Sequence, residues 1–84
     1  MEGYFGEIRL FAGNYAPKNW AFCDGQSMSI QENQALYSLI GTSYGGDGQN
    51  IFKLPAIEPI IQGEEEQAAI RYIICIDGIY PPRD

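Results

Sequence analysis

The segment AIRYIICIDGIY (69–80) constrains the fold more than any other part of this 84-residue chain. Its side chains alternate between two faces, as in a strand, and both faces are apolar. The two sets are Ile70, Tyr72, Ile74 and Ile76 on one face and Ile73 and Cys75 on the other. A strand of this kind is central in its sheet or is covered by a partner. The rest of the chain must therefore flank it, or another chain must cover it.

Shorter elements precede this strand. GEIRLFA (6–12) alternates, with Ile8 and Leu10 on one side, which predicts a half-buried strand. WAFCD (20–24) predicts a second short strand that ends in the Asp24-Gly25 turn. NIFKLPAI (50–57) predicts a short extended piece.

The clearest helix is predicted over residues 30–40. Ser29 is a good N-cap, and Glu32 three residues later completes a capping box. Gly41 stands where a left-handed residue ends a helix. These elements predict a single domain over residues 1–84 of the α+β class. We expect a small mixed or antiparallel sheet of short strands, one main helix packed on it, and many loops.

Charge and hydropathy exclude several classes of partner. The net charge is −6, and the five basic residues are scattered singly, so we expect no nucleic-acid binding. No apolar run approaches the ~20 residues that span a bilayer, so we expect no membrane insertion. The N-terminal MEGYFGEIRL carries an acid where a signal peptide has its basic region, so we expect no cleaved signal.

The side chains offer little for catalysis. The chain has no histidine, which removes the commonest general base and the commonest transition-metal ligand. Cys23 and Cys75 cannot form a zinc site alone. Both lie in apolar stretches, where they are buried thiols or a disulfide. Without a nucleophile–base pair or a metal constellation, we expect no enzymatic activity and no cofactor.

GTSYGGDGQN (41–50) has four glycines, as phosphate-binding loops often do. Such loops open a helix, whereas this stretch follows one and carries Asp47 but no lysine. A calcium loop of the EF-hand type would need several acids at fixed positions. Tyr44, Asp47, Gln49 and Asn50 instead offer one ring and three polar side chains to a ligand or partner, such as a sugar. Alternatively, Tyr44 and Asp47 face inward and hold the turn.

IEPII (57–61) is a second candidate contact surface. Its side chains Ile57, Ile60 and Ile61 would form an exposed apolar patch for docking on another protein or another copy. The acidic GEEEQ (63–67) that follows predicts a solvated turn.

Several motifs in a fixed order resemble the phage tail collar domain, most closely its bacterial branch of microcystin-dependent proteins. They are GEIRLFAGN, then P-x-x-W-x-x-C-D-G, then N-x-A-L-x-S-L-x-G-T-x-Y-G-G-D-G, then F-x-L-P. The closing YIICIDGIYPPRD is similar to that branch's final strand and tail. The resemblance covers residues 6–55 and 71–83.

The chain is a shortened form relative to this family. In the family, L-P is usually followed by D-L-R-G-R and a long segment with glycines and histidines before the final strand. Here Pro55 leads into AIEPIIQGEEEQ, and that segment is missing, together with its His-x-His element. No metal site is therefore carried over.

The resemblance implies a non-enzymatic structural or adhesin module at the tip of a fibre or baseplate, in a phage tail or a tail-like contractile injection particle. Its implied partners are other tail, fibre or baseplate proteins, further copies of itself, and a host-surface glycan in some members. It implies synthesis in the bacterial cytoplasm and assembly into a particle. The alternative is a free-standing carbohydrate-binding module that uses the 44–50 loop.

Overall fold

A strand near the C-terminus organises the fold. The computed structural model describes residues 1–61 and 69–83, and the predicted charged turn at 63–67 lies outside them. The elements in chain order are β1 (Ile8–Phe11), β2 (Trp20–Phe22), β3 (Ser27–Ser29), α1 (Gln34–Ile40), β4 (Ile51–Lys53), β5 (Ile60–Ile61) and β6 (Ala69–Cys75). β6 lies between β1 and β2 and also pairs with β5, while β3 and β4 form a second sheet. These strand pairs are antiparallel, which confirms the α+β class and the central position of the last strand.

β1 enters the sheet through a β-bulge at Gly6. The N–H of Gly6 donates to the carbonyl of Cys75 (2.9 Å), and the N–H of Cys75 donates to the carbonyl of Glu7 (2.9 Å). Two residues thus oppose one, with a glycine at φ 82° in the first position, as in a G1 bulge. The bulge sets the register that places Ile8 opposite Ile74 and Leu10 opposite Tyr72.

The register divides the four-stranded sheet into two faces. We call one the helix face; its members from β1, β2 and β6 are Ile8, Leu10, Ala21, Tyr72 and Ile74. We call the other the arginine face; its members from the same strands are Arg9, Phe11, Trp20, Phe22, Arg71, Ile73 and Cys75. Each face contributes to one cluster of buried residues.

The main core lies between the helix face and the layer formed by α1, β3 and β4. Ile74 and Ala21 of the sheet pack there against Leu36 of α1, Phe52 of β4 and Leu54. Leu36, Phe52 and Leu54 are all fully buried. Leu36 is the buried residue of α1 and anchors the helix on this core.

The predicted start of the helix is wrong by four residues. Ser29 is the last residue of β3, and residues 30–32 form a turn before α1 begins at Gln34. The N–H of Glu32 does donate to Oγ of Ser29 (3.3 Å), but this bond closes the turn. Pairing of Ser29 with Ile51 keeps the serine in a strand, so the local capping signal is overridden by the sheet. The predicted end is confirmed, because the N–H of Gly41 donates to Tyr37 O (2.8 Å).

The half-buried character predicted for the first strand is also wrong. Ile8 and Leu10 share the helix face with Ile74, yet they are 40% and 51% exposed. The layer that buries Ile74 does not extend over β1. The helix face is therefore covered at one end and open at the other.

Candidate functional site

The glycine-rich loop is held by the carboxylate of Asp47. Its Oδ1 accepts hydrogen bonds from the N–H groups of Gln49 (2.9 Å), Asn50 (2.9 Å) and Ile51 (3.0 Å). These donors lower the pKa of Asp47, with Ile51 the largest contributor, because they stabilise the charged form. Asp47 thus organises the loop from within, one of the two roles considered for it above.

Gly46 lets this loop lie directly on β4. It forms a bridge with Phe52 at φ 110°, and a Cβ there would lie 2.5 Å from both Ile51 O and Phe52 Cα. No other residue type fits such a backbone approach without displacing β4. The loop is therefore part of the support that holds Phe52 in the core.

The remaining loop candidates point to solvent. Tyr44 is 52% exposed, and Gln49 and Asn50 are exposed as well. The structure thus brings Tyr44, Asp47, Gln49 and Asn50 into one loop, with Asp47 tying the backbone of the other polar residues.

An apolar surface lies at the open end of the helix face. It consists of Ile8 and Leu10 of β1 and Ile60 of β5, which is 37% exposed. Ile60 belongs to this face because it pairs with Ile70, which alternates with Tyr72 and Ile74 along β6. Ile70 and Tyr72 are half-buried between these residues. We call Ile8, Leu10 and Ile60 the open patch.

The apolar residues predicted at 57–61 do not share one face. Ile61 pairs with Ala69 and therefore lies on the side of the sheet opposite Ile60. Ile57 lines a cleft of about 520 Å³ where segment 56–59 passes beside Phe22 and Tyr72. All three isoleucines are exposed, but only Ile60 joins the open patch.

The two cysteines are buried free thiols in different clusters. Cys23 packs in the core on the helix face, and Cys75 packs against Trp20 on the arginine face. Desolvation, followed by the nearby charge of Asp24, raises the pKa of Cys23 to about 11. Burial also raises the pKa of Cys75. Such thiols are poor nucleophiles, because the thiolate is the reactive form.

Two arginines cover much of the arginine face. Arg9 lies over the ring of Trp20 at 5.1 Å, and Arg71 lies over the ring of Phe22 at 4.9 Å. Arg9 also donates from Nε to Glu7 (2.7 Å), and this hydrogen bond, followed by the N–H of Tyr4, lowers the pKa of Glu7. The indole N–H of Trp20 donates to Met1 O (3.0 Å), so the N-terminal segment packs there too.

The parts of the chain that the structure describes contain no group of three potential metal-ligating side chains. Within residues 1–61 and 69–83, no helix is long and apolar enough to cross a bilayer.

The sequence model of the Phage Tail Collar Domain matches residues 6–58 of this chain. The chain belongs to the phage tail collar domain family. The match runs from the bulge at Gly6 through the glycine-rich loop and β4, and it ends before β5. The family resemblance seen in the motifs is thus confirmed, and collar domains are structural domains of phage tail fibres. No curated protein matches the chain.

Sequence reasoning missed two members of the open patch in this collar domain. Ile8 and Leu10 alternate with charged residues, which is the ordinary pattern of a strand with one buried face. Their face is apolar, but no element among the described residues covers it at that end of the sheet. The edge position of β1 follows from pairing over about sixty residues of sequence, and no local pattern reports it.

Proposed function

We propose that this collar domain is a non-enzymatic structural module that docks through its open patch onto a neighbouring chain. The neighbour belongs to a phage tail fibre or baseplate, or to a tail-like contractile injection particle. The exposure of Ile8, Leu10 and Ile60 on the sheet face that elsewhere forms the core supports this proposal.

The side chains of the open patch are large enough to contribute to binding when a partner buries them. Fully burying one leucine or isoleucine contributes about 1.5–3 kcal/mol. Three such residues on one face form an apolar surface like the buried core of a protein interface. The part of β1 that lies on the helix face carries no charged side chain, because Glu7 and Arg9 lie on the opposite face.

A structural role also agrees with how the reactive groups are used. The carboxylate of Asp47 accepts hydrogen bonds from three backbone N–H groups of its own loop. The raised pKa values of Cys23 and Cys75 keep both thiols protonated at neutral pH. These groups stabilise the fold and are poorly placed for catalysis.

The test is incorporation into particles. An epitope-tagged chain would be expressed in the strain that carries its gene, and tail particles would be separated from free protein on a density gradient. We expect the wild-type chain to sediment with the particles. The double variant Leu10→Glu/Ile60→Glu should fold but remain in the free fraction, because two charges would be buried on docking.

A matched control is Tyr15→Glu, which places a charge at an exposed aromatic residue outside the patch. This variant should sediment with the particles like the wild type. Absence of the wild-type chain from the particles, or equal incorporation of the double variant, would reject docking through the open patch.

The exposed ring of Tyr44 supports a second function, binding of a host-surface glycan. The ring lies in the same loop as the exposed side chains of Gln49 and Asn50, and the bonds of Asp47 hold that loop in shape. An aromatic ring beside amide groups on a preorganised backbone suits the apolar face and the hydroxyl groups of a sugar.

Glycan-array binding tests this second function. We expect the wild-type chain to bind a glycan on the array and the Tyr44→Ala variant to lose that binding. Tyr15→Ala is the matched control and should bind like the wild type. A wild-type chain that binds no bacterial surface glycan, or a Tyr44→Ala variant that binds as well as the wild type, would reject the proposal.

A further inference from the structure

β1 presents a free edge to solvent. It lies at one end of the order β1-β6-β2, and no second strand flanks it among the described residues. Because the N–H of Cys75 donates to Glu7 O, the carbonyl group of Glu7 points toward β6. The polar groups of successive residues alternate between the two edges of an antiparallel strand. Those of Arg9 and Phe11 therefore also point toward β6, and those of Ile8 and Leu10 point away.

We propose that this edge pairs with β1 of a second copy of the chain, antiparallel and around a two-fold axis at Arg9. Ile8 of one copy would lie opposite Leu10 of the other, and the two outward-facing residues of each strand would exchange four hydrogen bonds. This deepens the proposed function and rests on it, since it names the neighbouring chain as a second copy.

The side chains of β1 suit this self-pairing. On the helix face, Ile8 and Leu10 of both copies would form one apolar quartet, and the two open patches would become continuous across the axis. Cross-strand apolar pairs of this kind are the unit of sheet stabilisation. An exposed edge with apolar side chains is also the kind of surface to which a further strand is added.

Charge permits a second copy to approach at this edge. The chain carries a net charge of −6, so copies repel each other over most of their surface. At β1, however, Glu7 and Arg9 form an internal ion pair at 2.7 Å that leaves the edge locally neutral. Arg9 is also drawn over Trp20, within its own chain, which separates the two guanidinium groups at the axis. The edge is thus a place where two acidic copies can approach.

The first test is the mass of the purified chain by light scattering, from micromolar to near-millimolar concentration. We expect it to rise toward twice the 9.4 kDa of one chain. Leu10→Pro removes an outward N–H without breaking a bond to β6, and should raise the dissociation constant of the dimer at least about tenfold. Leu10→Ala keeps that N–H and is the matched control, with a smaller increase.

Site-specific cross-linking tests the register. In the proposed dimer, the two Arg9 residues would be a non-hydrogen-bonded pair. The Cα atoms of such a pair are about 4.5 Å apart, which a disulfide can span. Arg9→Cys should therefore form a dimer under mild oxidation, whereas Ile8→Cys, which would face Leu10, should not. The wild-type chain controls for the buried native thiols.

Amide hydrogen exchange keeps the proposal testable if the proline variant unfolds. Exchange at Ile8 and Leu10 should slow as the protein concentration rises, whereas exchange at Arg9 and Phe11 should be slow throughout. A mass that stays at one chain, a cross-link at Ile8 in place of Arg9, or exchange independent of concentration would overturn the pairing. A chain that enters particles but stays monomeric rejects β1 pairing alone. A chain that dimerises but stays out of particles rejects the proposed function alone.

Discussion

The two ends of the helix face have similar side chains and opposite surroundings. At one end, Ile74 and Ala21 pack under Leu36 and Phe52 and are buried. At the other, Ile8 lies directly opposite the same Ile74 in the β1–β6 register and is 40% exposed. In both places the strands direct apolar side chains to this face. The difference arises in the second layer, which is too small to cover the whole face.

Apolar residues at the covered end of the helix face stabilise the monomer, and those at the open end are available for binding. In a chain of 84 residues, one helix and a two-stranded sheet provide the cover on this face within the described residues. A small domain has little apolar area to spare for its own core. The open patch is apolar surface that the monomer leaves unused, and we infer that another chain uses it.

Paired leucine substitutions give the largest expected contrast between the two ends. Leu36→Ala removes a fully buried side chain and should lower the free energy of unfolding by about 2–5 kcal/mol. Leu10→Ala removes a side chain that is 51% exposed and should change it by no more than about 0.5 kcal/mol. Urea unfolding at low micromolar concentration measures both. Equal losses in the two variants would mean that the open end is in fact covered.

The second prediction concerns the glycine-rich loop, which lies against β4 and holds Phe52 in the layer that covers the helix face. Gly46→Ala forces a Cβ against Ile51 O and Phe52 Cα at φ 110°, and should destabilise the protein by about 2–3 kcal/mol. Gly41→Ala is the control, because no atom lies within 4 Å of its Cβ and only the cost of its positive φ remains, about 1–2 kcal/mol. Thermal unfolding should rank Gly46→Ala as the less stable variant. The reverse order would contradict a role for the loop in holding β4.

The arginine face shows a different way to cover a sheet, and a smaller effect is expected there. Arg71→Met keeps an extended apolar side chain but removes the charge over Phe22, which should cost about 0.5–1 kcal/mol. Arg71→Lys retains a cation and should lose less. Urea unfolding of the three proteins at neutral pH compares them. A methionine variant as stable as the wild type would show that packing alone, without the charge, covers this face.

The sequence predicted features that depend on local chemistry. Alternation identified β6 as central, because both of its faces are apolar. Gly41 marked the end of α1, and the motifs identified the family. These signals are carried by neighbouring residues, so the sequence displays them directly.

Features decided by distant pairing were missed. The capping box at Ser29 is a valid local signal, but Ser29 pairs with Ile51 in the sheet, and this contact delays the helix to Gln34. Likewise, Ile60 and Ile61 are adjacent exposed isoleucines, and only the register with Ile70 and Ala69 places them on opposite faces. The open patch could not be recognised before the sheet order was known.

The smallest expected effect is a pH dependence that originates in the Asp47 loop. Three backbone N–H donors hold the pKa of Asp47 below its ordinary value of 3.8 in the folded protein. A lowered folded pKa contributes stability that is present above the unfolded pKa of about 3.9 and is lost as pH falls through the folded value. The advantage of the wild type over Asp47→Asn should therefore be constant near neutral pH and shrink below about pH 4. Glu7 titrates in the same acidic range but is present in both proteins, so its contribution cancels in the difference. Urea unfolding at a series of pH values measures this difference. If the difference in the free energy of unfolding stays constant through the acid range, the loop needs only a hydrogen-bond acceptor at position 47 and not a negative charge. Asp47→Asn could then be used to test the glycan site without destabilising the loop.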